Sequence, residues 1–314
     1  MAAPSTNSVI RPAPPDAVGE PRFSLRDYAI LLKPRVMSLV VFTAVVGLIM
    51  APATVDIWTA IVAVLCIAIG AGAAGAINMW YDRDIDRVMR RTMNRPLPAG
   101  RLKPGSVLVF GLTLSAAAVA TMAAAVNLVA AGLLLLTIVY YVVIYTAWLK
   151  RRTPYNIVVG GASGALPPVI GWAAASGDVG LGALVLFAII FLWTPPHSWA
   201  LALFRRNDYE DAGVPMLPVV AGERATRNQM IAYTCLLLPA TLAPVIIGMS
   251  GALYGVAAVV LGALLLRHAI RVRNEASAAS ARGMFFFTIL YLFLIFAALL
   301  ADALLPAVHV SSLG

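Results

Sequence analysis

The chain has 314 residues, 61% of them apolar and only 12% charged, about half the ~25% charge of ordinary globular proteins. Its mean hydropathy is +0.89, and so few charges cannot cover a water-soluble surface. Continuous apolar runs exclude a porin-type barrel, so the expected fold is an all-α integral membrane protein, and the net charge of +9 is read as membrane orientation rather than nucleic-acid binding.

Residues 1–27 are polar and rich in Pro, Ala and Ser, which predicts a disordered cytoplasmic tail. No apolar core follows the early arginine, so no secretory signal is expected, and Asp16, Glu20 and Asp27 argue against an organelle transit peptide. Beyond the tail, one span needs ~20 residues. Cutting the chain at its charges then predicts nine helices, at 36–54, 57–79, 106–126, 128–148, 157–175, 181–203, 229–249, 251–270 and 284–304. Two long uncharged runs must each turn, near Asn127 and near Ser250-Gly251. Residues 28–305 are read as a single transmembrane domain of two four-helix halves plus a ninth helix, and 306–314 as a short outer tail. Cys66 and Cys235 both lie in apolar runs and imply neither a disulfide framework nor a Cys-based metal site.

The basic residues test this count. With the N-terminus inside, the N-terminal segment and the links 2–3, 4–5, 6–7 and 8–9 hold 5, 7, 3, 4 and 4 Lys and Arg, which is all 23. The outer links hold none, so the N-terminus is expected in the cytoplasm, the C-terminus outside, and any site on the cytoplasmic side, where the long links lie.

Two constellations stand there. In NMWYDRDIDRVMRRTMNRPLPAGRLKPG, the residues Asn78, Asp82 and Asp86 are four apart and fall within an ~80° arc of one helix face, with Asp84 out of phase. An amide oxygen and two carboxylates form a hard-oxygen set suited to Mg²⁺. The basic residues that follow suit phosphate oxygens, and the sum suggests a lipid with a diphosphate head. A solvated loop laced with salt bridges is the plainer alternative, weakened because costly carboxylates rise directly from an apolar helix. The second constellation follows the sixth helix and carries Asp208, Glu210 and Asp211, with Asp208 the main candidate to face the first set. Both stretches are followed by Pro-rich strings, a weak parallel repeat.

The Asn-x-x-x-Asp-x-x-x-Asp pattern after an apolar helix resembles the UbiA superfamily of intramembrane prenyltransferases. The strings KPRVMSLVVFTAVVGL, YTAWLKRRTPYNIVVGG, LWTPPHSWALAL and DYEDAGVPMLPVVAG resemble its haem-farnesylating branch, from about Lys33 to Phe296. The resemblance implies Mg²⁺ at Asn78, Asp82, Asp86 and Asp208, farnesyl diphosphate and haem B as substrates, and haem O as product. It also implies a bacterial inner-membrane location, and haem A synthase or oxidase assembly factors as protein partners. Arg87, Arg95, Lys150 and Arg151 are the expected diphosphate ligands, and Asp82, Asp86 and Asp208 the expected catalytic set. Lys33, Arg35, Tyr145, His197 and Trp199 are candidates for a haem or cation pocket. In other branches a Tyr stands four residues before the Lys at the exit of the fourth helix; here Thr146 holds that place and Tyr145 is five before Lys150. The rival readings are a transporter, whose acids should sit near the midplane on broken helices, a prenyltransferase with a quinone-precursor or chlorophyll-type acceptor, and a non-catalytic oxidase assembly factor.

Overall fold

A computed structural model describes residues 24–304. Of the two tails read at 1–27 and 306–314, residues 1–23 and 306–314 lie outside the described residues. Within them every regular element is a helix. The order is α1 (Leu25–Leu31), α2 (Pro34–Met50), α3 (Ile57–Tyr81), α4 (Arg83–Val88), α5 (Pro104–Ala125) and α6 (Leu128–Val139). Then α6 runs on as a π-helix (Tyr140–Leu149), followed by α7 (Asn156–Ala165), α8 (Pro167–Ser176), α9 (Leu181–Phe204), α10 (Arg206–Asp211), α11 (Leu217–Val220), α12 (Gly222–Ile246), α13 (Ala252–Glu275) and α14 (Ala278–Leu304).

Among the described residues eight spans are long and apolar enough to cross a membrane, with α7 and α8 forming one of them. The pair α1 and α2, bent by 51°, makes a ninth, so the predicted nine runs are present. Two chain turns fall where the sequence required them. Asn127 caps α6 by accepting from the Ala130 N–H at 2.8 Å, and its Nδ2 donates to the Ala173 carbonyl at 2.9 Å. At Ser250-Gly251, Asp302 of α14 accepts from the Ser250 hydroxyl, the Gly251 N–H and the Tyr254 N–H, satisfying the open end of α13.

Two differences stand out. Helix α1 begins at Leu25, inside the stretch read as tail. Ser24 caps it by accepting from the Asp27 N–H, and the buried Asp27 carboxylate receives Arg101 at 3.2 Å. The fifth predicted helix breaks at Leu166, where Pro167 starts α8 at a position whose N–H a helix does not need.

The two main cores lie around α2, α3, α5, α6 and α8 and, larger, around α9 and α12 to α14, with two small clusters at the loop end. In a bilayer helices gain little from apolar burial against each other, so close backbone approach carries the packing. The crossing of α2 and α8 shows it: a Cβ on Gly171 would stand 2.0 Å from the Ala44 carbonyl oxygen, and one on Gly47 2.1 Å from that of Pro168.

Candidate active site at the basic end of the bundle

Helix α3 is apolar until Asn78. The Asp82 N–H then donates to the Asn78 carbonyl at 2.9 Å, and the Asp86 N–H to the Asp82 carbonyl at 2.8 Å. The four-residue ladder therefore passes through the junction of α3 and α4, and the three side chains share a face as their spacing predicts. Asp82 and Asp86 are 1% and 3% exposed, and Asn78 is buried with them. Asp84, out of phase, faces solvent.

Asn78 ties the cluster together. Its Nδ2 donates to Asp82 Oδ2 at 2.7 Å and to Thr146 Oγ1 at 3.1 Å, while its Oδ1 accepts from Lys33 Nζ at 3.2 Å. Lys33 reaches it from the bend between α1 and α2, where its own backbone is left-handed at φ 51°, a costly conformation for a residue with a Cβ. Lys150 bonds Asp82 Oδ2, and Arg95 meets Asp86 Oδ2 at 2.8 Å. Arg151 stands 3.6 Å from Asp82 Oδ1 but forks onto Asp84 with two bonds of 2.7 Å. That hydrogen-bonded guanidinium holds the Asp84 carboxyl below the usual carboxylate range, and Asp84 raises Arg151 in turn. Arg87 is exposed on α4, with no ion pair or hydrogen bond to the carboxylates.

Buried carboxylates need cations or hydrogen bonds. Here Lys150, Arg95 and the Asn78 amide supply them, yet Asp82 Oδ1 is buried and accepts no hydrogen bond. The donors are hard oxygens and one is free, a set that fits a divalent cation such as Mg²⁺.

The second constellation lies on α10. Asp208 is buried, its Oδ2 accepts no hydrogen bond, and Arg205 stands 3.8 Å away. It opens on a polar cavity of about 440 Å³ with Arg90, Arg206, Glu210, Asp211 and Glu223. The two loops do meet: Arg91 donates to the Tyr209 hydroxyl at 3.2 Å, and Ile85 and Met89 pack with Val214 and Met216. Their carboxylates do not merge, since among the described residues no three His, Cys, Asp or Glu side chains gather closely enough to hold a metal ion.

A larger, mostly apolar cavity of about 870 Å³ opens among α2, the π-helix, α7, α9 and α14. Its volume lies within the ~300–1,000 Å³ of small-molecule sites. The π-helix joins it to the carboxylates. Thr146 faces Asn78 and donates to the Tyr141 carbonyl at 2.8 Å, while the rings of Tyr141 and Tyr145, 5.5 Å apart, line the cavity. With five residues per hydrogen-bonded ring, the Lys150 N–H bonds the Tyr145 carbonyl at 2.9 Å, so the five-residue spacing from Tyr145 to Lys150 fits a widened turn. Tyr145 packs closely on Gly160, where a Cβ would come within 2.1 Å of the ring.

Of the pocket candidates, His197 and Arg35 line the cavity, while Lys33 bonds Asn78 beside the carboxylates. Trp199 turns the other way, fully buried against Tyr233 of α12, because two residues along a helix rotate a side chain by ~200°. Nothing in the local sequence marks Thr146, Tyr141 or Thr288 for the site. Asp27 falls in the stretch whose composition reads as tail, yet Ser24-x-x-Asp27 is a helix-start signal.

Comparison with known proteins agrees with this architecture. The UbiA prenyltransferase family model matches residues 40–308. A protoheme IX farnesyltransferase of Azorhizobium caulinodans is 55% identical over 94% of this chain and 96% of its own, and that of Cereibacter sphaeroides is 57% identical over 89% and 92%. Among solved structures, a digeranylgeranylglyceryl phosphate synthase superposes with a TM-score of 0.75 at 16% identity, covering 89% of this chain and 98% of that one. A UbiA homologue from Archaeoglobus fulgidus bound to DMAPP and Mg²⁺ superposes with a TM-score of 0.65 at 17% identity, covering 87% and 99%. A helical bundle with buried Asn and Asp at its basic end, an apolar cavity beside them, and family-wide similarity along the chain have one reading: the protein belongs to the UbiA prenyltransferase family.

Proposed function

We propose that the protein transfers the farnesyl group of farnesyl diphosphate to the 2-vinyl group of protohaem IX, with addition of water, giving haem O and releasing diphosphate. Relatives that are 54–57% identical over most of the chain bear the name of that activity. The observation that carries the reading is the buried Asn78–Asp82–Asp86 set, ringed by Lys33, Lys150 and Arg95 and coupled by one π-helix to an apolar cavity.

The chemistry needs three things. The C1–O bond of the farnesyl ester breaks and its electron pair leaves with diphosphate. The vinyl π electrons then bond to C1, and water captures the resulting cation on the haem side chain and loses a proton. Asn78, Asp82 and Asp86 would hold Mg²⁺, with Asp208 offering a separate carboxylate on the facing loop, and the metal would supply charge neutralisation for the departing diphosphate. Lys33, Lys150, Arg95 and Arg151 add positive charge at the same end. The apolar cavity keeps bulk water from the allylic cation, and the faces of Tyr141 and Tyr145 stabilise positive charge. Haem O would pass to haem A synthase or to oxidase assembly.

Purified protein supplied with farnesyl diphosphate, haem and Mg²⁺ is expected to make haem O, read by mass spectrometry of the extracted haems. Unchanged haem beside a prenylated aromatic acid would mean a different acceptor.

A further inference from the structure

One imidazole in the large cavity is unused by this mechanism. His197 is half-buried on α9, with its ring sandwiched between Trp193 at 4.3 Å and Phe285 at 4.7 Å, both stacked within 24° of parallel. Its Nδ1 lies 2.7 Å from the Thr288 hydroxyl oxygen. Thr288 spends its own hydroxyl proton on the Phe285 carbonyl at 2.6 Å, so toward His197 its oxygen can only accept. The proton therefore sits on His197 Nδ1, and Nε2 carries a lone pair. Thr288 is held in place in turn, because the buried Trp193 indole donates to its carbonyl at 2.8 Å. Nε2 makes no hydrogen bond and stays accessible from the cavity that His197 lines.

A fixed tautomer, a clamped ring and a free lone pair in an apolar chamber are the arrangement by which proteins present imidazole to a metal centre. We propose that His197 Nε2 is an axial ligand to the iron of the tetrapyrrole acceptor, with Thr288 as the residue that sets its tautomer. The inference rests on the acceptor reading above. Coordination forms one Fe–N bond from the existing lone pair. It needs no redox change and releases no proton from the ring. It would anchor the macrocycle by its centre, leaving the vinyl edge to be aimed at the carboxylate end.

The test uses full-length protein with ¹⁵N-labelled histidine, loaded with ferrous protohaem and read by resonance Raman spectroscopy. An iron–imidazole stretch that shifts with the isotope is expected. The chain has three histidines, so the His268→Gln, His309→Gln double variant leaves His197 alone and should keep the band without altering the site. His197→Gln should lose it, Thr288→Val should weaken it and Thr288→Ser should retain it. A bound haem without the band, or a band lost in the double variant, overturns the proposal. Haem O formed in the product assay without the band would sink only the role of His197, whereas haem that does not bind at all would sink the acceptor reading too.

Discussion

Asp82 and Asp86 are among the few charges this protein buries, and each keeps a cation within bonding distance. A carboxylate held that way is costly to keep and is retained where charge is needed at a defined point. If they carry the diphosphate's counter-charge, Asp82→Ala and Asp86→Ala should each lower turnover by about 100-fold or more, the scale of losing a preorganised electrostatic contact. Both variants should still insert, since helix insertion rests on the apolar runs. Near-wild-type haem O formation by either one would move the metal site elsewhere. The four-residue spacing made this face legible in sequence, because a helical ladder fixes it locally. The partners that orient it were not: Thr146 is 68 positions from Asn78, and Thr288 is 91 from His197. No local pattern encodes a hydroxyl that arrives from another helix.

At the scale of elements, apolar length was enough to draw the nine runs, but not their internal geometry. The π-helix at Tyr140–Leu149 has the composition of any membrane helix, so nothing in the sequence marks its widened turns. Two proline pairs show the same limit. Pro167-Pro168 opens a new helix, whereas Pro195-Pro196 sits inside a continuous α9. Composition alone does not separate the two cases, since membrane helices tolerate proline only where the freed backbone groups find other partners. The π-helix matters because it turns Tyr145 toward the cavity and seats it on Gly160. Gly160→Val would force the ring off that seat. The cavity leaves room for the ring to swing, so the fold should survive, but a misplaced wall beside the reacting carbon is expected to lower the rate by about 100-fold. An unchanged rate with an unchanged thermal midpoint would show that the Tyr145 position is irrelevant to turnover.

For the whole molecule, the division of charge between the two ends decides how the site meets its substrates. Among the described residues, the links 51–56, 126–127, 177–180 and 247–251 hold no Lys or Arg but carry Asp56 and Asp178, and the basic residues lie toward the opposite helix ends and their links. Asp82, Asp86 and Asp208 sit at the basic end, at the rim rather than at mid-depth, which separates this arrangement from a transporter with acids on broken midplane helices. Basic links are retained in the cytoplasm, so the diphosphate end should face inward, in a bacterial inner membrane, and draw on the cytoplasmic pool. Labelling with a membrane-impermeant maleimide tests this directly. In a Cys66→Ala, Cys235→Ala background, Asp178→Cys should react in intact spheroplasts. Met93→Cys, on the exposed loop after α4, should react only once the membrane is broken. The reverse pattern would place the carboxylates outside, cut off from cytoplasmic diphosphates. The site chemistry could then survive only with a different supply of isoprenoid.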